Sequence, residues 1–142
     1  MLEGKNIVVG VAGGIAAYKT ADVVSRLKKA GASVNVIMTE AAVQFVTPLT
    51  FQTLSQNFVY ADMFKEPKNW EVEHIALAEK ADLFLVAPAT ANIIGKISNG
   101  IADDMLSTTI MATKAKVVFA PAMNCNMYLN PIVQSNIEKL KS

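Results

Sequence analysis

The stretch with the most chemical variety is Ala120-Pro121-Ala122-Met123-Asn124-Cys125-Asn126-Met127-Tyr128, where two methionines, two asparagines, a cysteine and a tyrosine fill six successive positions. Soft apolar surface interleaved with neutral hydrogen-bonding groups suits a pocket that holds a polarisable ring system beside a polar substrate. A well-packed turn could use the same residues, and the stretch alone does not choose between the two. The only histidine, His74, opens a helical stretch that follows the polar residues 65–70. Such a loop is where α/β proteins carry their sites, and imidazole is the natural proton carrier near neutral pH. No second histidine and no cysteine lies at ligand spacing, so no metal site is expected. The pair Asp103-Asp104 could do acid–base or metal work. Capping of a following helix by Asp103, with helix-dipole stabilisation, is the simpler account.

A second group of residues suits phosphate. Gly10-Val11-Ala12-Gly13-Gly14-Ile15 joins an apolar run to a helical pattern. A helix N-terminus offers free N–H groups and partial positive charge, and glycine lets a phosphate come close to the backbone. The run is not Gly-x-Gly-x-x-Gly, and Thr39 rather than an acid follows the second apolar run. A dinucleotide is therefore disfavoured, and a mononucleotide such as FMN fits better. A tight turn without ligand is the plain alternative. In Ala89-Thr90-Ala91-Asn92 the small side chains would let a flat ligand lie against backbone, while Thr90 and Asn92 hydrogen-bond its polar edge.

These groups need a scaffold, and the apolar pattern supplies one. Buried strands are expected over 6–12, 33–38, 82–87 and 115–120, the third and fourth ended by Pro88 and Pro121, with a short strand at 58–60. Helices are expected over 15–29, 40–46, 49–55 and 71–80, from about 91, from Asp103 to about 111, and over 132–141 behind Pro131. Ala16, Thr20, Val23 and Leu27 should form the buried stripe of the first. Strand–helix alternation predicts an α/β fold, a Rossmann-like or flavodoxin-like three-layer sandwich with a mostly parallel central sheet, in a single domain over 1–142. A doubly wound sheet would usually add one more strand after Ser142.

The totals agree with a globular domain. The chain has 142 residues, 52% of them hydrophobic and 18% charged, and it holds no apolar run near the ~18 residues that cross a bilayer. A net charge of +1 gives no electrostatic surface for nucleic acid. One cysteine cannot form an internal disulfide, and no signal peptide is recognisable, so a reducing, cytoplasmic setting is expected. The apolar fraction also suggests that other subunits cover part of the surface.

The order of the motifs is more telling than any one of them. Gly13 to Lys19, Glu73-His74-Ile75, Ala87 to Asn92, Gly100 to Asp104 and Pro121-Ala122-Met123-Asn124-x-x-Met127 closely resemble the homo-oligomeric flavin-containing cysteine decarboxylases across essentially the whole chain. The resemblance implies non-covalent FMN and subunits assembled as trimers or as dodecamers built from them, with sites at subunit interfaces. It implies decarboxylation of 4′-phosphopantothenoylcysteine to 4′-phosphopantetheine in coenzyme A biosynthesis, often with a fused ligase domain after the decarboxylase. By the same resemblance His74 is the active-site histidine, Asn124 holds the substrate carboxylate, and Met127 shares the substrate side. Gly14, Ile15 and Ala16 form the FMN-phosphate turn, Thr39, Thr90 and Asn92 flank the cofactor, and Met105 and Leu106 contact the isoalloxazine. Two departures stand out. Tyr128 replaces the usual tryptophan, and the family's substrate-covering segment with its proton-donating cysteine has no counterpart, which suggests truncation at the C-terminus. A peptidyl-cysteine decarboxylase, a flavin prenyltransferase and a non-catalytic flavin-binding or electron-transfer module remain alternatives.

Overall fold

The computed structural model describes residues 1–61 and 70–142, the side chains of 70–74 excepted. Four strands form one sheet in the order β2-β1-β3-β4, and every pairing is parallel. In chain order the strands are β1 (Asn6–Val11), β2 (Ser33–Met38), β3 (Leu83–Ala89) and β4 (Lys116–Pro121). The helices are α1 (Ala17–Lys29), α2 (Pro48–Ser55), α3 (Trp70–Lys80), α4 (Ala91–Ser98), α5 (Met105–Ala112), α6 (Cys125–Leu129) and α7 (Pro131–Lys141).

The period-two alternation of the strands divides the core between two faces. Ile7, Val9 and Val11 of β1 pack with Val34 and Val36 of β2 beneath Ala17 and Val24 of α1 and Phe51 of α2. On the other face Val8, Phe84 and Val86 meet Ile93 and Ile94 of α4, Leu106 and Ile110 of α5, and Leu77 of α3. The result is the expected three-layer α/β sandwich. Gly10 shows how tightly the second face closes, because a Cβ there would overlap the Leu106 side chain.

Several expectations need correction. The first helix begins at Ala17, not at 15, because Gly13 to Ala16 are spent on the turn, with Ala17 N–H bonding to Gly14 C=O at 2.9 Å. Its buried stripe is therefore Ala17, Thr20 and Val24, with Ala16 and Val23 only half-buried. The helix expected over 40–46 shrinks to a 3-10 turn at Ala42–Gln44. The strand expected at 58–60 is a single bridge from Tyr60 to Ile37. Pro88 does not end β3. The Ala87–Pro88 bond is cis, and pairing resumes at Ala89 opposite Pro121 after a register shift. β4 is not buried on both faces: it has one strand neighbour among the described residues, and its side chains alternate between exposed and half-buried.

Candidate active site at the carboxyl ends of the strands

β1 crosses to β2 on one side while β3 and β4 lie on the other, so the chain reverses direction across the sheet between β1 and β3. In open α/β sheets that switch point, outside the carboxyl ends of the strands, is where ligands bind. A cleft of about 650 Å³ lies there, of the size of small-molecule sites.

Its first wall is the turn between β1 and α1. Gly13 is dictated by packing, since a Cβ there would lie 2.5 Å from the Ala41 Cβ and 2.9 Å from Ala41 backbone. Gly14 is different: a Cβ would meet only Thr90 Cγ2, at an ordinary 3.5 Å. Among the described residues, the backbone N–H groups of Gly13, Gly14, Ile15 and Ala16 donate to no protein acceptor. These four donors sit at the start of a 13-residue helix, an arrangement made for an anion. Thr39 lies beside them. Its N–H bonds to Val11 C=O at 3.0 Å and its Oγ1 accepts from Ala42 N–H at 3.1 Å, and the hydroxyl proton has no acceptor among the described residues.

The facing wall is the end of β3 and the start of α4. Thr90 caps α4, its Oγ1 accepting from Ile93 N–H at 3.2 Å. This capping duty was not expected of Thr90, and it fixes the hydroxyl at the cleft edge. Ala12, Ala41, Ala91 and Ala122 put small side chains on several sides of the cleft and leave room between the walls. A slot of that shape, ending in unpaired N–H donors, fits a flat phosphate-bearing cofactor such as FMN.

Gly14, Ile15, Thr39, Thr90, Asn92 and Met127 all line this cleft. Ala16 is half-buried behind the turn. Met105 and Leu106 do not reach the lining: they are 4% and 0% exposed and belong to the core between sheet and α5. Asn124 stands at the rim, exposed, between Met123 and Met127, which do line the cleft. It caps the short α6, its Oδ1 accepting from Met127 N–H at 2.9 Å. The amide nitrogen has no partner among the described residues, so the capping bond uses Oδ1 and leaves Nδ2 as the free donor end. The backbone of His74 lies within α3, but its side chain is outside the described residues.

Sequence reasoning missed Lys96 and Glu40, and it misplaced a cap, while Met123 of the Ala120–Tyr128 stretch does line the cleft. The cap of α5 is Asp104, not Asp103: its Oδ1 accepts from Ser107 N–H at 2.7 Å, and Asp104 N–H donates to Ser107 Oγ at 3.1 Å. Asp103 is thereby released to accept from Lys96 Nζ through both carboxylate oxygens, at 3.1 and 3.0 Å. No pattern in the chain flagged Lys96, which reads as one more helical lysine. No group of three or more His, Cys, Asp or Glu suited to a metal ion occurs among the described residues. No described helix is long and apolar enough to cross a membrane.

Comparison with known proteins gives this geometry a context. The model of the Flavoprotein family matches residues 1–142. Over 140 residues the chain is 56% identical to the coenzyme A biosynthesis bifunctional protein CoaBC of Bacillus subtilis (strain 168), covering 99% of this chain and 34% of that protein. Over 139 residues it is 51% identical to the probable phosphopantothenoylcysteine decarboxylase of Streptococcus mutans, covering 96% of this chain and 78% of the relative. The chain thus spans about a third of the length of the bifunctional relatives it matches. Among solved structures, the FMN-dependent cysteine decarboxylase TvaF from thioviridamide biosynthesis superposes with a TM-score of 0.88 at 29% identity, covering 97% of this chain and 85% of that one.

Proposed function

The chain belongs to the Flavoprotein family, and within it we propose an FMN-dependent carboxy-lyase that releases CO₂ from 4′-phosphopantothenoylcysteine to give 4′-phosphopantetheine for coenzyme A synthesis. The observation that carries this reading is that one cleft is lined both by Gly13, Gly14 and Ile15, whose N–H groups find no acceptor among the described residues, and by Met123 and Met127, which flank Asn124 in the chain. The 51% identity to a probable phosphopantothenoylcysteine decarboxylase supports the choice of substrate.

An ordinary cysteine carboxylate cannot leave as CO₂, because the electrons left behind have no acceptor. FMN, when bound, supplies redox chemistry at the cysteine CH₂–SH that creates one and returns the electrons afterwards, so no outside oxidant is consumed. The backbone N–H groups of Gly14, Ile15 and Ala16, with the Thr39 hydroxyl, hold the cofactor phosphate. Thr90 and Asn92 hydrogen-bond the polar edge of the ring, and Met105 and Leu106 brace the wall from behind. Asn124 orients the substrate carboxylate through its Nδ2 donors, with Met127 packed beside it. Neutral donors are suited to this duty, since a full ion pair would stabilise charge that is about to depart. His74 carries a proton or orients the substrate at the ring face.

Self-association as a trimer or dodecamer, a ligase domain fused after residue 142 and a cytoplasmic location complete the reading. The exposed Ile15 and Tyr18 at the cleft end of α1 support a subunit contact there. Light scattering on the purified protein reads the mass directly: a monomer in solution would remove this part.

Decarboxylation of a peptidyl cysteine is the second reading, favoured by the likeness, at 29% identity, to the solved peptidyl-cysteine decarboxylase EpiD. CO₂ release from 4′-phosphopantothenoylcysteine against a cysteine-terminated peptide separates the two, and preference for the peptide would overturn the first. His74→Asn is expected to keep the yellow flavin spectrum and lose CO₂ release. Full activity in that variant would remove His74 from the mechanism.

A further inference from the structure

Lys96 is the lining residue whose chemistry the proposed reaction leaves unused. Among the described residues around the cleft it is the only cation, set against Glu40, Asp103 and Asp104. It is also held at both ends. Its carbonyl accepts from Ile101 N–H at 2.9 Å, across a turn that Gly100 closes at a φ of +73°. Its ammonium lies between the two Asp103 oxygens, and Asp103 is itself fixed by an N–H bond to Ser107 Oγ at 3.0 Å. The Lys96 side chain is 27% exposed and that of Asp103 53%, so the ammonium end of the pair is the one partly withdrawn from water. An ammonium has three donors, and two of them serve Asp103. What results is a cation of fixed position at the cleft with a donor to spare.

We propose that Lys96, oriented by Asp103, binds the phosphate monoester of the substrate; this rests on the function proposed above. Three anions must be accommodated in that reading. The cofactor phosphate has the Gly13–Ala16 donors, and Gly14 faces Thr90 at the start of α4. Lys96 lies six residues further along, about 9 Å at the rise of a helix, and its ammonium is held by Asp103, which follows the end of α4, so it serves a different part of the cleft. The substrate carboxylate is a poor match for an ammonium, because that contact would be stronger before the charge departs than in the transition state. The substrate phosphate keeps its charge throughout the reaction. A cation on it improves binding without opposing the chemistry.

The test compares Lys96→Gln, Lys96→Arg and Asp103→Asn with the unsubstituted enzyme on 4′-phosphopantothenoylcysteine and on pantothenoylcysteine, which lacks the phosphate. Lys96→Gln is expected to raise KM for the phosphorylated substrate by about 10- to 100-fold, the weight of one charge-assisted contact, and to leave kcat nearly unchanged. KM for pantothenoylcysteine should barely move, so the preference between the two collapses. Lys96→Arg should recover part of it, Asp103→Asn should lose less than Lys96→Gln, and the affinities for FMN and riboflavin should stay as they were. A Lys96→Gln enzyme that keeps its preference overturns the proposal, as does an equal loss on both substrates. Selective loss of FMN over riboflavin also overturns it, by giving Lys96 to the cofactor phosphate. Failure of the unsubstituted holoenzyme to turn over either substrate would defeat the functional reading instead. Calorimetric binding of 4′-phosphopantothenate against pantothenate then still tests Lys96, with the same preference expected to vanish in Lys96→Gln.

Discussion

The two sides of the sheet's switch point are built on different terms. On the β1–β2 side, five of six residues in each strand are buried, and α1 and α2 seal the face with Val24 and Phe51. On the far side, β4 has no fully buried residue, and neither α6 nor α7 buries one. Leu129 and Ile132 are about 70% exposed there. The anion-binding turn therefore stands on a finished core, whereas Asn124 stands on a five-residue helix held by its own cap. A phosphate cradle must be rigid before its ligand arrives. A substrate contact placed on lightly packed structure can be re-aimed by whatever covers that surface.

This contrast predicts unequal responses to substitution. The largest should come from Phe51→Ala, which empties a site with no exposure in the core that α2 seals over β1 and β2 and should cost about 3–5 kcal/mol. The matching change at Leu129→Ala should stay within about 0.5 kcal/mol in the isolated chain. Urea unfolding followed by circular dichroism compares them, and equal losses would erase the distinction. The next effect separates two neighbouring glycines. Gly13→Ala must push against Ala41 and should cost about 1–3 kcal/mol, while Gly14→Ala should leave stability nearly unchanged and act on FMN affinity instead. Equal melting temperatures for the two variants would contradict the packing assigned to Gly13. A smaller loss, about 1 kcal/mol, is expected for Asp104→Ala, which removes the capping box of α5. If Asp103→Ala lost more stability than Asp104→Ala, the cap would belong to Asp103 after all.

The two sides were also unequally legible in the sequence. Unbroken apolar runs such as Ile7-Val8-Val9 announce parallel strands buried on both faces, and the glycines after them announce a turn. Hence the fold class and the turn at Gly13–Gly14 could be read directly, whereas the convergence of Thr39 and Thr90 on it was implied only by the family resemblance. Val117-Val118-Phe119 reads the same way, yet among the described residues it lies at the edge of the sheet and is at most half-buried, because apolarity records what a strand can bury and not what the fold puts beside it. Pro88 misled for a related reason: a proline forbids one ladder hydrogen bond, but β3 resumes pairing one residue later. Met105 and Leu106, expected at the ring, lie in the core because α5 turns its apolar side to the sheet. Lys96 could not be found at all, since what marks it is Asp103 seven residues away, brought to it by the left-handed turn at Gly100.

Asn124→Asp tests the central claim most directly. Aspartate caps a helix as well as asparagine does, so α6 and the flavin site should survive, while the donors to the carboxylate are lost and a like charge takes their place. CO₂ release from 4′-phosphopantothenoylcysteine should fall by roughly 10²–10³-fold or more, as for loss of a preorganised donor in other enzymes, with the bound-flavin absorbance unchanged. Undiminished CO₂ release by a variant that keeps its flavin would contradict the account.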